Sequence, residues 1–171
     1  MDTAHSSATF SIRHLGVAKV RGRFNTIDAT LDVGATAADS KLVASIDATT
    51  LDTGNADRDA HSKSPDMLDV AANPQWTFES TSITGDGEAW EVEGQAVIAG
   101  VSTPFSFEVE FHGIAEFPAT GNHHAGFSSE GQFSRKAIGL TFDGLGPASS
   151  LLGDKITFEL DVELLEPKDE G

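Results

Sequence analysis

An all-β fold, an antiparallel sandwich or a closed barrel, is what this sequence predicts, and three observations carry it. Apolar and polar residues alternate with a period of two, the alternating stretches number about eight, and short glycine- or proline-bearing turns separate most of them. The clearest stretch is Phe105-Ser106-Phe107-Glu108-Val109-Glu110-Phe111-His112, in which every odd position is apolar and every even one polar. Such alternation belongs to a strand with one face buried and one in water.

In chain order, the first strand is marked by Ala8, Phe10 and Ile12. The second covers residues 20–31, with a break near Thr26, and the third is marked by Leu42, Ala44 and Ile46. Residues 55–71 interrupt the pattern and predict a short helical segment, with Asn55 as its N-cap and Pro65 ending the first turns. Trp76 and Phe78 open the next strand, and Trp90-Glu91-Val92-Glu93-Gly94-Gln95-Ala96 forms another after the turn Gly85-Asp86-Gly87. The turn at Gly100-Val101-Ser102-Thr103-Pro104 leads into the Phe105 strand. A weaker strand spans 127–133, residues 144–153 read as an irregular loop, and Ile156 to Leu164 alternates again before a frayed tail at 167–171. Residues 1–166 are thus expected to form one domain.

A sheet with one continuous apolar face must bury it, and closing about eight strands into a barrel does so while removing the edges. The inward set on the Trp90 strand is Trp90, Val92, Gly94, Ala96 and Ile98, and on the 127–133 strand Phe127, Ser129, Gly131 and Phe133. Both are small at mid-length. If these gaps face one another, an elongated apolar cavity results, with Phe10, Phe78, Phe105, Phe107 and Phe111 in its wall; if not, the same aromatics fill an ordinary core. Both interiors are consistent with the pattern.

The 171 residues include 27 acidic and 11 basic ones, a net charge of −16 that repels phosphate backbones and anionic head groups. Nucleic acid is therefore not an expected partner, and no apolar run reaches the ~18 residues of a spanning helix, so stable membrane insertion is not expected either. The first residues lack the basic start and apolar middle of a signal peptide. A cytoplasmic location follows if Met1 is native, and a periplasmic or secreted one if a signal peptide has been removed.

No cysteine is present, which excludes disulfides and thiolate chemistry. His112, His123 and His124 are the most tempting metal ligands, but neighbours on a strand point to opposite faces, and no metal site is expected. Asp59, His61 and Ser62 lie too close together, without a nucleophile-elbow glycine pattern, to be read as a hydrolytic triad. No glycine-rich phosphate loop occurs. Inward-facing acids and histidines, which an enzyme acting on a bound lipid would need, are almost absent from the alternation.

The segments His5-Ser6-Ser7-Ala8-Thr9-Phe10, Arg21-Gly22-Arg23-Phe24, Asn55/Arg58/Asp59/His61, Ser64-Pro65-Asp66-Met67-Leu68-Asp69-Val70, Gly100-Val101-Ser102-Thr103-Pro104 and Leu145-Gly146-Pro147-Ala148-Ser149 carry a resemblance. Together they resemble the YceI-like, or polyisoprenoid-binding, family of bacterial lipocalin-like proteins, over nearly the whole chain. The resemblance implies an eight-stranded antiparallel lipocalin-like barrel with a short helical segment covering one end. It also implies a tunnel for a polyisoprenoid, an isoprenoid quinone or a fatty chain as bound ligand, with no other cofactor, and a homodimer as one form of the protein. Ala137 and Ile138 stand where the family more commonly has an acidic residue and Phe.

On that basis the expected ligand-binding positions are Phe10, Ile12, Phe24, Ile46, Met67, Trp76, Phe78, Val92, Gly94, Ala96, Phe105, Phe107, Val109, Phe111, Phe127, Ser129, Gly131 and Phe133. Asn55, Arg58, Asp59 and His61 are expected at the pocket mouth or as an end cap. The expected function is non-enzymatic carriage or storage of the chain, and the alternative is a filled-barrel structural or stress-response interaction module.

Overall fold

The computed structural model describes residues 1–142 and 151–167. Ten strands form one antiparallel sheet: β1 (Ser7–His14), β2 (Ala18–Phe24), β3 (Ile27–Asp32), β4 (Lys41–Asp47), β5 (Leu51–Asp52), β6 (Gln75–Asp86), β7 (Ala89–Ile98), β8 (Val101–Phe117), β9 (Asn122–Ser134) and β10 (Leu152–Leu165). One helix, α1 (Ala56–Lys63), and three single 3-10 turns complete the described elements.

The hydrogen-bonded order is β3-β4-β6-β7-β8-β9-β10-β1-β2-β5, ten strands where the sequence predicts eight. Two passes of the chain are each split. β2 continues into β3 through Asn25 and Thr26, and β4 continues into β5 through the 3-10 turn at 48–50. The split passes run side by side, with Phe24 opposite Leu51 on one flank of the break and Ile27 opposite Ile46 on the other. At the break Thr50 replaces the ladder: its carbonyl accepts from the Asn25 side chain at 3.2 Å, and its hydroxyl accepts from the Thr26 N–H at 3.0 Å. Asp47 caps the turn by accepting from Thr49 N–H at 2.9 Å. Because β2 pairs with β1 while β3 pairs with β4, the curled sheet closes on itself.

The alternation is realised as expected. Along β8 the odd residues from Val101 to Phe111 are half-buried and the intervening polar ones are exposed. The helical segment is shorter than the 55–71 expected. Asn55 caps it by accepting from Arg58 N–H at 2.9 Å, and it ends at Lys63 because Ser64 leaves the helical region one residue before Pro65. The loop expected at 144–153 falls largely outside the described residues, with β10 already begun at Leu152, and so does the tail from residue 168.

Side-chain burial is uneven along the barrel. Val92, Ala96 and Ala8 are almost inaccessible, whereas among the described residues no large side chain is completely buried. Arg135, only 2% exposed, donates to the carbonyls of Leu140 (2.6 Å), Gly153 (2.9 Å) and Leu152 (3.3 Å). It fastens the 3-10 turn at 136–138 to the start of β10, and Gly139 closes that turn with φ 82°.

Candidate functional site

A cavity of about 250 Å³ occupies one half of the barrel. Aromatic rings ring it in sequence. Phe10 lies 5.7 Å from Phe24, and Phe24 lies 5.0 Å from the edge-on Trp76. Phe78 meets Phe107 at 5.2 Å, Phe105 meets Phe133 at 5.6 Å, and Phe105 meets Phe158 at 5.8 Å. Offset and edge contacts at these separations are favourable for aromatic pairs.

Glycine is what lets these rings lie against the wall. A Cβ on Gly22 would fall 2.7 Å from a Phe10 ring carbon, one on Gly94 2.5 Å from Phe78, and one on Gly131 2.6 Å from Phe158. Phe10 is paired with Gly22 and Phe158 with Gly131 across their ladders, while Phe78 leans on a glycine two residues from its partner Ala96. The sequence left open whether the gaps at Gly94 and Gly131 face one another across a cavity or lie in a filled core. Each gap is covered by a ring from the next strand, and the open space lies at the centre of the barrel.

Of the expected ligand positions, Phe10, Phe24, Ile46, Trp76, Phe78, Ala96, Phe105, Phe107 and Phe133 line the cavity. Val92, Val109, Phe111, Phe127 and Ser129 do not: they belong to the other half of the barrel, where Phe111 and Phe127 pack at 5.2 Å and the Ser129 hydroxyl donates to the Glu108 carbonyl at 2.6 Å. Gly94 and Gly131 stand behind rings, and Ile12 and Met67 are outside the lining.

Residues the sequence reading passed over complete the wall. Phe158, Leu160 and Val162 come from β10, whose alternation already marked them as inward. Leu51, Leu68, Ile138 and Leu140 also line it, and no alternation marked them because they lie in the two-residue strand β5, in turns or beyond a 3-10 turn. Ile138 is 3% exposed and lies in this wall.

The Asn55/Arg58/Asp59/His61 motif does not reach the cavity. Arg58 donates to the Thr53 hydroxyl and carbonyl, both at 2.8 Å, and the Asp59 carboxylate accepts from Thr53 N–H (2.9 Å) and hydroxyl (2.5 Å). His61 contacts Asp66 at 3.1 Å and stacks edge-on against Phe142 at 5.2 Å. These bonds tie the helix to Thr53, beside the strand that carries Leu51, and to Asp66, two residues before Leu68. Two carboxylates here lie below their ordinary range. Asp66 is held down by the Ser64 hydroxyl and then by His61, and Asp52 by the Gly54 N–H and then by Arg23.

The lining is overwhelmingly apolar. Its side-chain polar atoms are those of Thr9, Asp28, Ser45 and Thr77 together with Trp76 Nε1, which is buried without a hydrogen-bond partner. Among the described residues no histidine, lysine or arginine lines it, and Asp28 is its one ionisable side chain. A second depression of about 480 Å³, lined by Thr26, Asp47, Thr49 and Gln75 among others, lies at the strand break and is more polar.

Comparison with known proteins places this architecture. The family model described as the YceI-like domain matches residues 1–164. The protein YceI of Escherichia coli O157:H7 is 38% identical over 147 residues, covering 85% of this chain and 75% of that protein. The crystal structure of the Campylobacter jejuni YCEI protein superposes with a TM-score of 0.78 at 28% identity, over 92% of this chain and 91% of that one. A polyisoprenoid binding domain from Saccharophagus degradans, implicated in plant cell wall breakdown, has a TM-score of 0.70 at 15% identity, over 97% of this chain and 95% of that one, and shares the fold. With its curled antiparallel barrel and helical end cap, the chain belongs to the YceI-like family.

Proposed function

We propose that this protein binds one long apolar chain, a polyisoprenoid, an isoprenoid quinone or a fatty chain, inside the barrel, and carries or stores it without chemical change. The observation that carries this reading is the cavity itself, an apolar space whose wall rings pack against glycines of neighbouring strands. The Saccharophagus degradans domain of the same fold, a polyisoprenoid binding domain, supports the ligand class.

Affinity would come from burial. Each enclosed methylene contributes about 0.8 kcal/mol before ordering costs, so a chain of many carbons needs few polar contacts. The YceI-like family and the polyisoprenoid binding domain of the same fold support a binder. Among the described residues no helix is long and apolar enough to cross a membrane.

Native mass spectrometry of the purified protein, followed by denaturing extraction and mass analysis of what is released, tests the reading. A stoichiometric prenyl, quinone or fatty species is the expected result. A bare chain mass that stays bare on titration with long-chain lipids would overturn it in favour of a structural module.

A further inference from the structure

On the outer face of the sheet the fold gathers four groups from three separate stretches of the sequence, the N-terminal segment, β9 and β10. Asp2, His124 and Glu163 hold one potential ligand atom each within 4.8 Å of one another. His5 stands beside them, with Nδ1 3.2 Å from an Asp2 oxygen and 3.7 Å from a Glu163 oxygen. His124 Nδ1 is 2.5 Å from that same Glu163 oxygen.

The cluster is held from three sides. Asp2 N–H donates to the Glu163 carbonyl at 2.8 Å, Glu163 N–H donates to the Ser6 hydroxyl at 3.0 Å, and the β9–β10 ladder sets His124 diagonally across from Glu163. The Asp2, His124 and Glu163 side chains are only 21–28% exposed. The Phe117 ring, 5.7 Å from that of His124, covers one side. One Asp2 oxygen accepts from Ala4 N–H at 2.8 Å, which leaves the other facing His5.

We propose that Asp2, His5, His124 and Glu163 form a binding site for one divalent transition-metal ion of the zinc class. Two imidazole nitrogens and two carboxylate oxygens make a borderline donor set that suits Zn²⁺ and disfavours the all-oxygen preference of Ca²⁺ or Mg²⁺. In a tetrahedron with bonds of about 2.0–2.1 Å, neighbouring ligand atoms lie about 3.3 Å apart. His5 Nδ1, on a side chain 66% exposed, lies near this spacing from Asp2 and Glu163, and the shorter His124–Glu163 contact must open for the ion to enter. A chain carrying −16 charges concentrates cations around itself and favours capture.

The site bears on the cavity through its position, because Met1, adjacent to the ligand Asp2, lines the apolar interior. A bound ion would fix that segment against β10.

Isothermal titration of the EDTA-stripped full chain with ZnCl₂, checked by native mass spectrometry, tests the proposal, and Co²⁺ substitution adds the visible absorption of a tetrahedral site. One ion per chain is expected, with His124→Ala and Glu163→Gln each weakening binding by about tenfold or more and His123→Ala and His112→Ala leaving it unchanged. Far-UV circular dichroism verifies that the variants fold, and Glu163→Gln together with His5→Gln decides the matter should His124→Ala unfold. No stoichiometric zinc, or zinc retained at full affinity by the folded cluster variants, would overturn the site and leave these groups as an ion-pair staple.

Discussion

The two halves of the barrel interior are furnished with similar side chains, yet one is packed and the other open. In the packed half Val92 and Ile83 are 4% and 8% exposed, Phe111 and Phe127 stack on each other, and Trp90 Nε1 reaches the Gly87 carbonyl at 3.0 Å. In the open half Phe10, Phe78 and Phe158 are each turned down onto a glycine of a neighbouring strand. Rings pair with one another in both halves, but in the open half three of them also pack against a glycine of the adjacent strand. The comparison points to glycine placement on the adjacent strand, more than aromatic content, as what separates the two halves.

Substitutions confined to one half break this comparison most directly. Ile83→Ala in the packed half is expected to cost about 2–5 kcal/mol in urea unfolding, because the void left there cannot be relieved, while the stoichiometry of lipid uptake stays the same. Gly131→Ala sets a methyl against the Phe158 ring, tipping it into the cavity; about 1–3 kcal/mol is lost and uptake weakens with it. Ala44→Phe adds a ring where space exists. Stability should change by less than about 1.5 kcal/mol while lipid uptake is abolished, and retention of uptake in a folded Ala44→Phe chain would mean that the ligand lies elsewhere.

Acid should also separate the halves, with a smaller effect. Asp66, beside the end cap, is held low by Ser64 and then His61, and Asp154, against the 3-10 turn, by Ser134 first. A lowered carboxylate stabilises the fold above its ordinary value of 3.8 and loses that contribution as pH falls through its folded value. The cap segments of the open half are therefore expected to gain amide exchange as pH drops from about 5 towards 3, ahead of the packed half. Asp66→Asn should flatten that response.

Much of this fold was legible in the sequence because strand alternation is a local signal. The Phe105–Phe111 run, the break near Thr26 and the Asn55 cap are each read from residues adjacent in the chain. β5 was not legible, being two residues paired only because the split passes lie side by side. The cavity was half legible. Inward residues follow from alternation, but which ring covers which glycine depends on cross-strand register, and this moved the open space away from Val109, Phe111 and Phe127. The His124 cluster was out of reach for the same reason: the sequence separates Asp2 from Glu163 by almost the whole chain, and only β10 lying beside the N-terminal segment joins them.

The position of β1 carries a further consequence, one of timing. This strand sits between β2 and β10, so that Ser7 pairs with Asp161. During synthesis the first strand is made early and waits for its second neighbour until nearly all the chain has emerged. Until β10 docks, the aromatic face has no closing wall, and contacts of such long sequence separation make folding slow, on the scale of milliseconds to seconds. The arrival of β10 thus turns an exposed hydrophobic sheet into a closed barrel.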